Sequence, residues 1–147
     1  MVVSFCVAIN MFAGEVAQEG NVNIQKVSQG GFNLLKGNEE SPSIIFMREG
    51  ATCRYFLEMI TTYEMDNLML FYLGKTKKQV LQCLEYFQEI MDDKGQVTVK
   101  DDVKSVYSIQ QESGRSLRFS TTGFKGDGYV SKANLRKFIA DLEKFSE

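Results

Sequence analysis

The chain has 147 residues, 44% of them apolar and 24% charged, with one proline, no tryptophan and no histidine. That suits one globular domain whose core is large enough to fold without a disulfide or a structural metal. The missing histidine excludes Ser-His-Asp and Cys-His catalysis, an imidazole general base and His-containing zinc sites, and a formal net charge of -2 is too even to advertise a polyanionic or polycationic partner.

Residues 1–14, MVVSFCVAINMFAG, form an apolar N-terminal segment ahead of the polar EVAQEGN. Two readings compete: the hydrophobic part of a shortened secretory signal, with Ala13, Gly14 and Ala17 near a cleavage point, or a first element of the core. No basic residue precedes the run and Asn10 interrupts it, which speaks against the signal. The first reading makes the protein exported, the second cytoplasmic. No stretch approaches the roughly 20 apolar residues of a membrane-spanning helix.

Residues 15–147 read as one α+β domain. Asn21–Val27 alternates as a weak edge strand does, and Gly30-Gly31 marks a turn. Ser43–Met47 is β-rich, and Glu49-Gly50 closes a hairpin into Thr52–Thr61, with Cys53, Tyr55, Leu57 and Met59 on one face. Phe56, Met59, Ile60 and Tyr63 in the same stretch also fit helical spacing; the threonines and Gly50 favour a strand. Leu68–Leu73 is a continuous apolar run of strand length, as expected for a central strand covered on both faces.

Thr76 with Gln79 three residues on forms a capping box, and Val80, Leu84, Phe87 and Met91, widened by Leu81 and Ile90, make an apolar helical stripe. Strands follow near Gln96–Lys100, Lys104–Gln111 and Ser116–Thr122. A last helix begins at Ser131 and carries Leu135, Phe138, Ile139, Leu142 and Phe145 on one face. The expected architecture is a mostly antiparallel sheet of about five to seven strands packed against two amphipathic helices. No internal repeat is legible.

The candidate chemistries each fail on one requirement. Gly74-Lys75-Thr76 sits where a phosphate loop sits, but the glycine such a loop needs five residues earlier is Met69. Gly123-Phe124-Lys125-Gly126-Asp127-Gly128 is spaced G-x-x-G-x-G instead of the dinucleotide G-x-G-x-x-G, and as a calcium loop it lacks the carboxylates. Asp92-Asp93-Lys94-Gly95 fails as a calcium loop in the same way. The acid pairs Glu85/Glu89, Asp92/Asp93 and Asp101/Asp102 fit solvating charge on an outer face or in turns. Cys6, Cys53 and Cys83 are too widely spaced for a C-x-x-C site, leaving open whether Cys53 and Cys83 pair.

A basic and aromatic set remains. Residues 1–102 are net acidic and residues 103–147 net basic. Arg115, Arg118, Lys125 and Lys132, around the glycine-rich loop 123–131, are the candidate ligand-binding residues for an anion or nucleic acid. Arg54, Tyr55, Phe56, Phe119, Phe124 and Tyr129 interleave with them as stacking candidates, without a single-strand-binding signature. No metal site, catalytic residue or cofactor is indicated. The expected function is therefore a non-enzymatic binding or protein-interaction module, with a protein partner or self-association. An anion or nucleic-acid binder is the alternative, and an enzyme using carboxylates alone the third.

Overall fold

The computed structural model describes residues 22–31, 41–61, 68–93, 95–100, 106–112, 115–122 and 126–147. The expectations for residues 1–14, Cys6, Lys125, Phe124 and the Asp101/Asp102 pair fall outside them.

The first half of the described chain is a four-stranded antiparallel meander: β1 (Val22–Gln29), β2 (Ser43–Glu49), β3 (Thr52–Ile60) and β4 (Leu68–Gly74), in spatial order 1-2-3-4. Helix α1 (Lys77–Asp92) follows. The second half repeats that plan with β5 (Gln96–Lys100), β6 (Val106–Glu112), β7 (Ser116–Thr121), β8 (Gly128–Ser131) and helix α2 (Lys132–Lys144). Among the described residues the fold is thus α+β, antiparallel in every strand pair, with two helices, as the sequence implies. The eight described strands divide into two sheets of four, and β8 is a strand where the sequence suggests only loop.

The repetition lies in the architecture, and it is sharpest at the helix starts. Thr76 Oγ1 accepts from the Gln79 backbone N–H at 3.1 Å, and Ser131 Oγ accepts from that of Asn134 at 3.0 Å. Each cap thereby satisfies a backbone donor that the first helical turn leaves without an intrahelical partner. Apolar residues then fall at the same offsets, Val80, Leu84 and Phe87 in α1, and Leu135, Ile139 and Leu142 in α2.

Strand alternation sends Ile44, Phe46, Tyr55, Leu57, Met59, Met69, Phe71 and Leu73 inward from the first sheet, and Tyr107, Ile109, Leu117, Phe119 and Val130 from the second. With the buried stripes of both helices they form one hydrophobic cluster. Each helix touches both sheets: α1 meets β4, β6 and β7, α2 meets β1 and β8, and the helices pack on each other. Polar ties reinforce the junctions. The Tyr107 hydroxyl donates to the Leu70 carbonyl at 2.6 Å, joining the sheets. Ser28 Oγ donates to Asp141 at 2.7 Å, joining β1 to α2. Lys77 Nζ donates to the Phe145 carbonyl at 2.7 Å, joining the start of α1 to the end of α2. Phe145 packs edge-on against Phe46 and Tyr55, and the Tyr55 hydroxyl bonds Glu147.

β4 departs from the sequence expectation. Its run LMLFYL is the edge of the first sheet, not a centre covered twice. Met69, Phe71 and Leu73 enter the core, while Leu68 is 48% exposed and Leu70 and Tyr72 are half-buried on the opposite face. Residues 52–60, ambiguous between helix and strand in sequence, are β3.

Candidate functional site

The three described anion candidates, Arg115, Arg118 and Lys132, do not converge. Arg118 projects from β7 on the outer face of the second sheet, where it donates to Gln110 at 2.7 Å and lies 3.4 Å from the Glu112 carboxylate. Lys132 opens α2 and reaches Asp92 at 3.2 Å. Arg115 is exposed in the turn before β7, and its carbonyl accepts from the Lys132 backbone N–H at 2.9 Å. Arg115 and Lys132 thus meet through the backbone, whereas Arg118 faces elsewhere, beside Tyr129 in register. The Arg118 and Lys132 charges are already answered by acids. Of the stacking candidates, Tyr55 and Phe119 are wholly buried.

The other loops are accounted for by folding. At Gly74-Lys75-Thr76 the Lys75 backbone N–H, a donor a phosphate would need, is taken by Gln79 Oε1 at 2.7 Å. Gly74 has φ 147, and a Cβ there would stand 2.7 Å from the Gln79 Cβ. Glu85, Glu89, Asp92 and Asp93 are all exposed. Among the described residues no three His, Cys, Asp or Glu side chains gather as metal ligands. Cys53 and Cys83 are free thiols. Burial pushes the Cys83 thiol up to about 12, which keeps it protonated and unreactive at neutral pH.

The two outer faces are built oppositely, and that contrast defines the candidate site. Across the second sheet the outward residues run Gln96–Gln110–Arg118–Tyr129 in one cross-strand row and Thr98–Ser108–Ser120 in the next. A shallow concavity of about 330 Å³ lies over Thr98, Val106, Ser108, Ser120, Thr121 and Thr122. Hydroxyls and amides predominate there, with Val106 and Tyr129 exposed at its margins. Across the first sheet the rows are Ile24–Met47–Arg54, then Lys26–Ile45–Phe56–Tyr72, then Ser43–Glu58–Leu70, then Ile60–Leu68. Ile24 is 37% exposed, and Ile45, Met47, Phe56, Ile60, Leu70 and Tyr72 are half-buried. Phe56 and Tyr72 stack edge-on with ring centroids 5.7 Å apart. None of these side chains belongs to the hydrophobic cluster.

Glu58 stands within this apolar surface, a residue that carries no motif in the sequence. Its burial raises the carboxyl above its ordinary value, an effect the neighbouring Lys26 partly opposes. A carboxyl raised by folding binds more protons folded than unfolded. Its favourable contribution is therefore complete below the unfolded value and is lost as pH rises through the folded one. Glu58→Gln removes that loss. In dilute protein the variant is expected to be more stable than the parent at neutral pH in urea unfolding, the two converging toward pH 4. A variant less stable at neutral pH would show that the carboxylate is held by favourable contacts instead.

Among the described residues no helix is long and apolar enough to cross a membrane. No known protein family, curated protein or solved structure matches the chain.

Proposed function

We propose that the chain is a non-enzymatic protein-interaction module that docks a partner's apolar surface on the outer face of the first sheet. The observation that carries this is the row Ile45–Phe56–Tyr72 with Met47, Leu70 and Leu68 around it, outside the core on a sheet whose inner face already supplies the core. Contiguous apolar patches on a folded surface mark interaction sites. Full burial of an aromatic or large aliphatic side chain contributes about 1.5–3 kcal/mol, and these half-buried side chains leave part of that gain for a partner to supply. The matched second sheet, with the same connectivity and a hydroxyl- and amide-lined outer face, shows that the fold itself does not require apolar residues there. The anion reading has less support, because Glu112 and Asp92 already answer Arg118 and Lys132.

A surface dye tests the reading. At sub-micromolar protein, bis-ANS fluorescence is expected to rise strongly with the parent chain and to fall several-fold in Phe56→Asp. The far-ultraviolet circular dichroism should be unchanged, since Phe56 lies outside the core. Dye uptake that ignores Phe56→Asp would contradict the proposal.

A further inference from the structure

We infer that the partner on this face is a second copy of the chain, packed sheet on sheet about a two-fold axis that crosses the strands at Phe56. The inference rests on the docking reading above and adds the occupant.

The reason is the placement of charge on β3. Arg54, Phe56 and Glu58 alternate on one strand and so share the outer face, the two charges lying about 6.7 Å to either side of Phe56. Their register partners on β2 are Met47, Ile45 and Ser43, none of which neutralises them. Among the described residues neither Arg54 nor Glu58 makes a hydrogen bond or an ion pair within 4 Å; Lys26 on β1 acts on Glu58 only through its charge.

A two-fold axis lying in the interface plane, perpendicular to the strands at Phe56, reverses positions along the strand. It sets Arg54 of each copy over Glu58 of the other, twice by symmetry, and brings the two Phe56 rings together at the centre. This self-complementarity is what an isologous interface requires. The strands of the two copies then run antiparallel across the interface, compatible with the roughly 30° offset of aligned sheet packing.

The size of the face sets the expected strength. Four strands about 4.8 Å apart and seven residues long span roughly 400 Å² in projection. The accessible surface of such a face exceeds its projection but stays toward the small end of specific interfaces, and with one central aromatic anchor per copy the dimer should dissociate in the micromolar range.

Sedimentation equilibrium of the full chain between about 1 and 200 µM tests this, with charge reversal as the diagnostic. The parent chain is expected to dimerise. Glu58→Arg and Arg54→Glu should each weaken the dimer at least about tenfold, because each opposes like charges twice. Combining them should restore affinity to within about threefold, as the pair is then re-formed with its ends exchanged. The double-variant cycle removes the separate effect of placing a new charge near Lys26. Thermal melts of each variant exclude misfolding as the cause.

A monomer at every concentration, or a dimer that the combined reversal does not restore, would overturn the inference. A monomer that still takes up bis-ANS in a Phe56-dependent way would overturn the second copy and leave the docking surface standing. A monomer without that dye response would overturn both.

Discussion

Phe119→Ala is expected to lower the unfolding free energy by about 3–5 kcal/mol, a large share of the roughly 5–15 kcal/mol that holds a domain folded. Phe119 is wholly buried on β7 and faces Phe87 of α1 at 5.3 Å and Phe71 of β4 at 5.7 Å, both edge-on. Phe71 in turn meets Tyr107 of β6 at 4.8 Å. These four rings come from both sheets and the helix between them. Truncating Phe119 removes its own burial and also the edge-to-face contacts, worth about 0.5–1.5 kcal/mol each. The cavity would open at the point where the two halves meet, so neither half can collapse to fill it alone. Urea unfolding followed by circular dichroism gives the number. A loss below about 1.5 kcal/mol, or two separate transitions, would mean that the sheets do not share one core.

Gly128→Ala is the second large effect, expected to cost about 1–3 kcal/mol. Gly128 opens β8 opposite Phe119, and it lies where β8 crosses β3. A Cβ there would stand 2.7 Å from Met59 Sδ and 2.9 Å from Met59 Cβ. The sulfur end of methionine can swing aside, but the Cβ is fixed to a buried strand. The absence of a side chain at Gly128 therefore allows the two sheets to approach. This gives a packing role to a glycine that the sequence offered as part of an anion loop. Met59→Gly removes the opposing Cβ at its own cost, so the double variant should lose at least about 1 kcal/mol less than the sum of the single losses. Simple additivity in the same unfolding experiment would contradict the close approach.

Both helices were legible because each carries a cap and an apolar stripe at helical spacing, and these local signals agree with the tertiary packing. The strands were legible where one face is apolar and the other polar, as in Leu117-Arg118-Phe119-Ser120. They were less so where both faces are apolar. Thr52–Ile60 fits helical and strand spacing alike because Phe56 and Ile60 on its outer side add to Tyr55, Leu57 and Met59 on its inner side. Leu68–Leu73 suggests a doubly covered strand for the same reason, yet it is an edge. The unusual content of those two segments is the sequence trace of the apolar outer face. Position along the sheet, which decides whether a second apolar face is core or surface, depends on contacts distant in sequence. β8 was not legible, being four residues long and begun by a glycine. The candidate cations are neighbours in sequence, whereas the acids that answer two of them, Glu112 and Asp92, reach them through the β6–β7 pairing and across 40 residues.

On the proposed function, the half-exposed outer face of the first sheet closes on a partner as protein concentration rises. Hydroxyl-radical footprinting, read residue by residue by mass spectrometry, measures this directly. At sub-micromolar protein, Met47, Phe56 and Tyr72 are expected to be oxidised much faster than the core residues Met59, Phe71 and Tyr55, and to become protected as concentration rises toward 100 µM. Face residues as slow as the core residues in dilute protein would contradict the account.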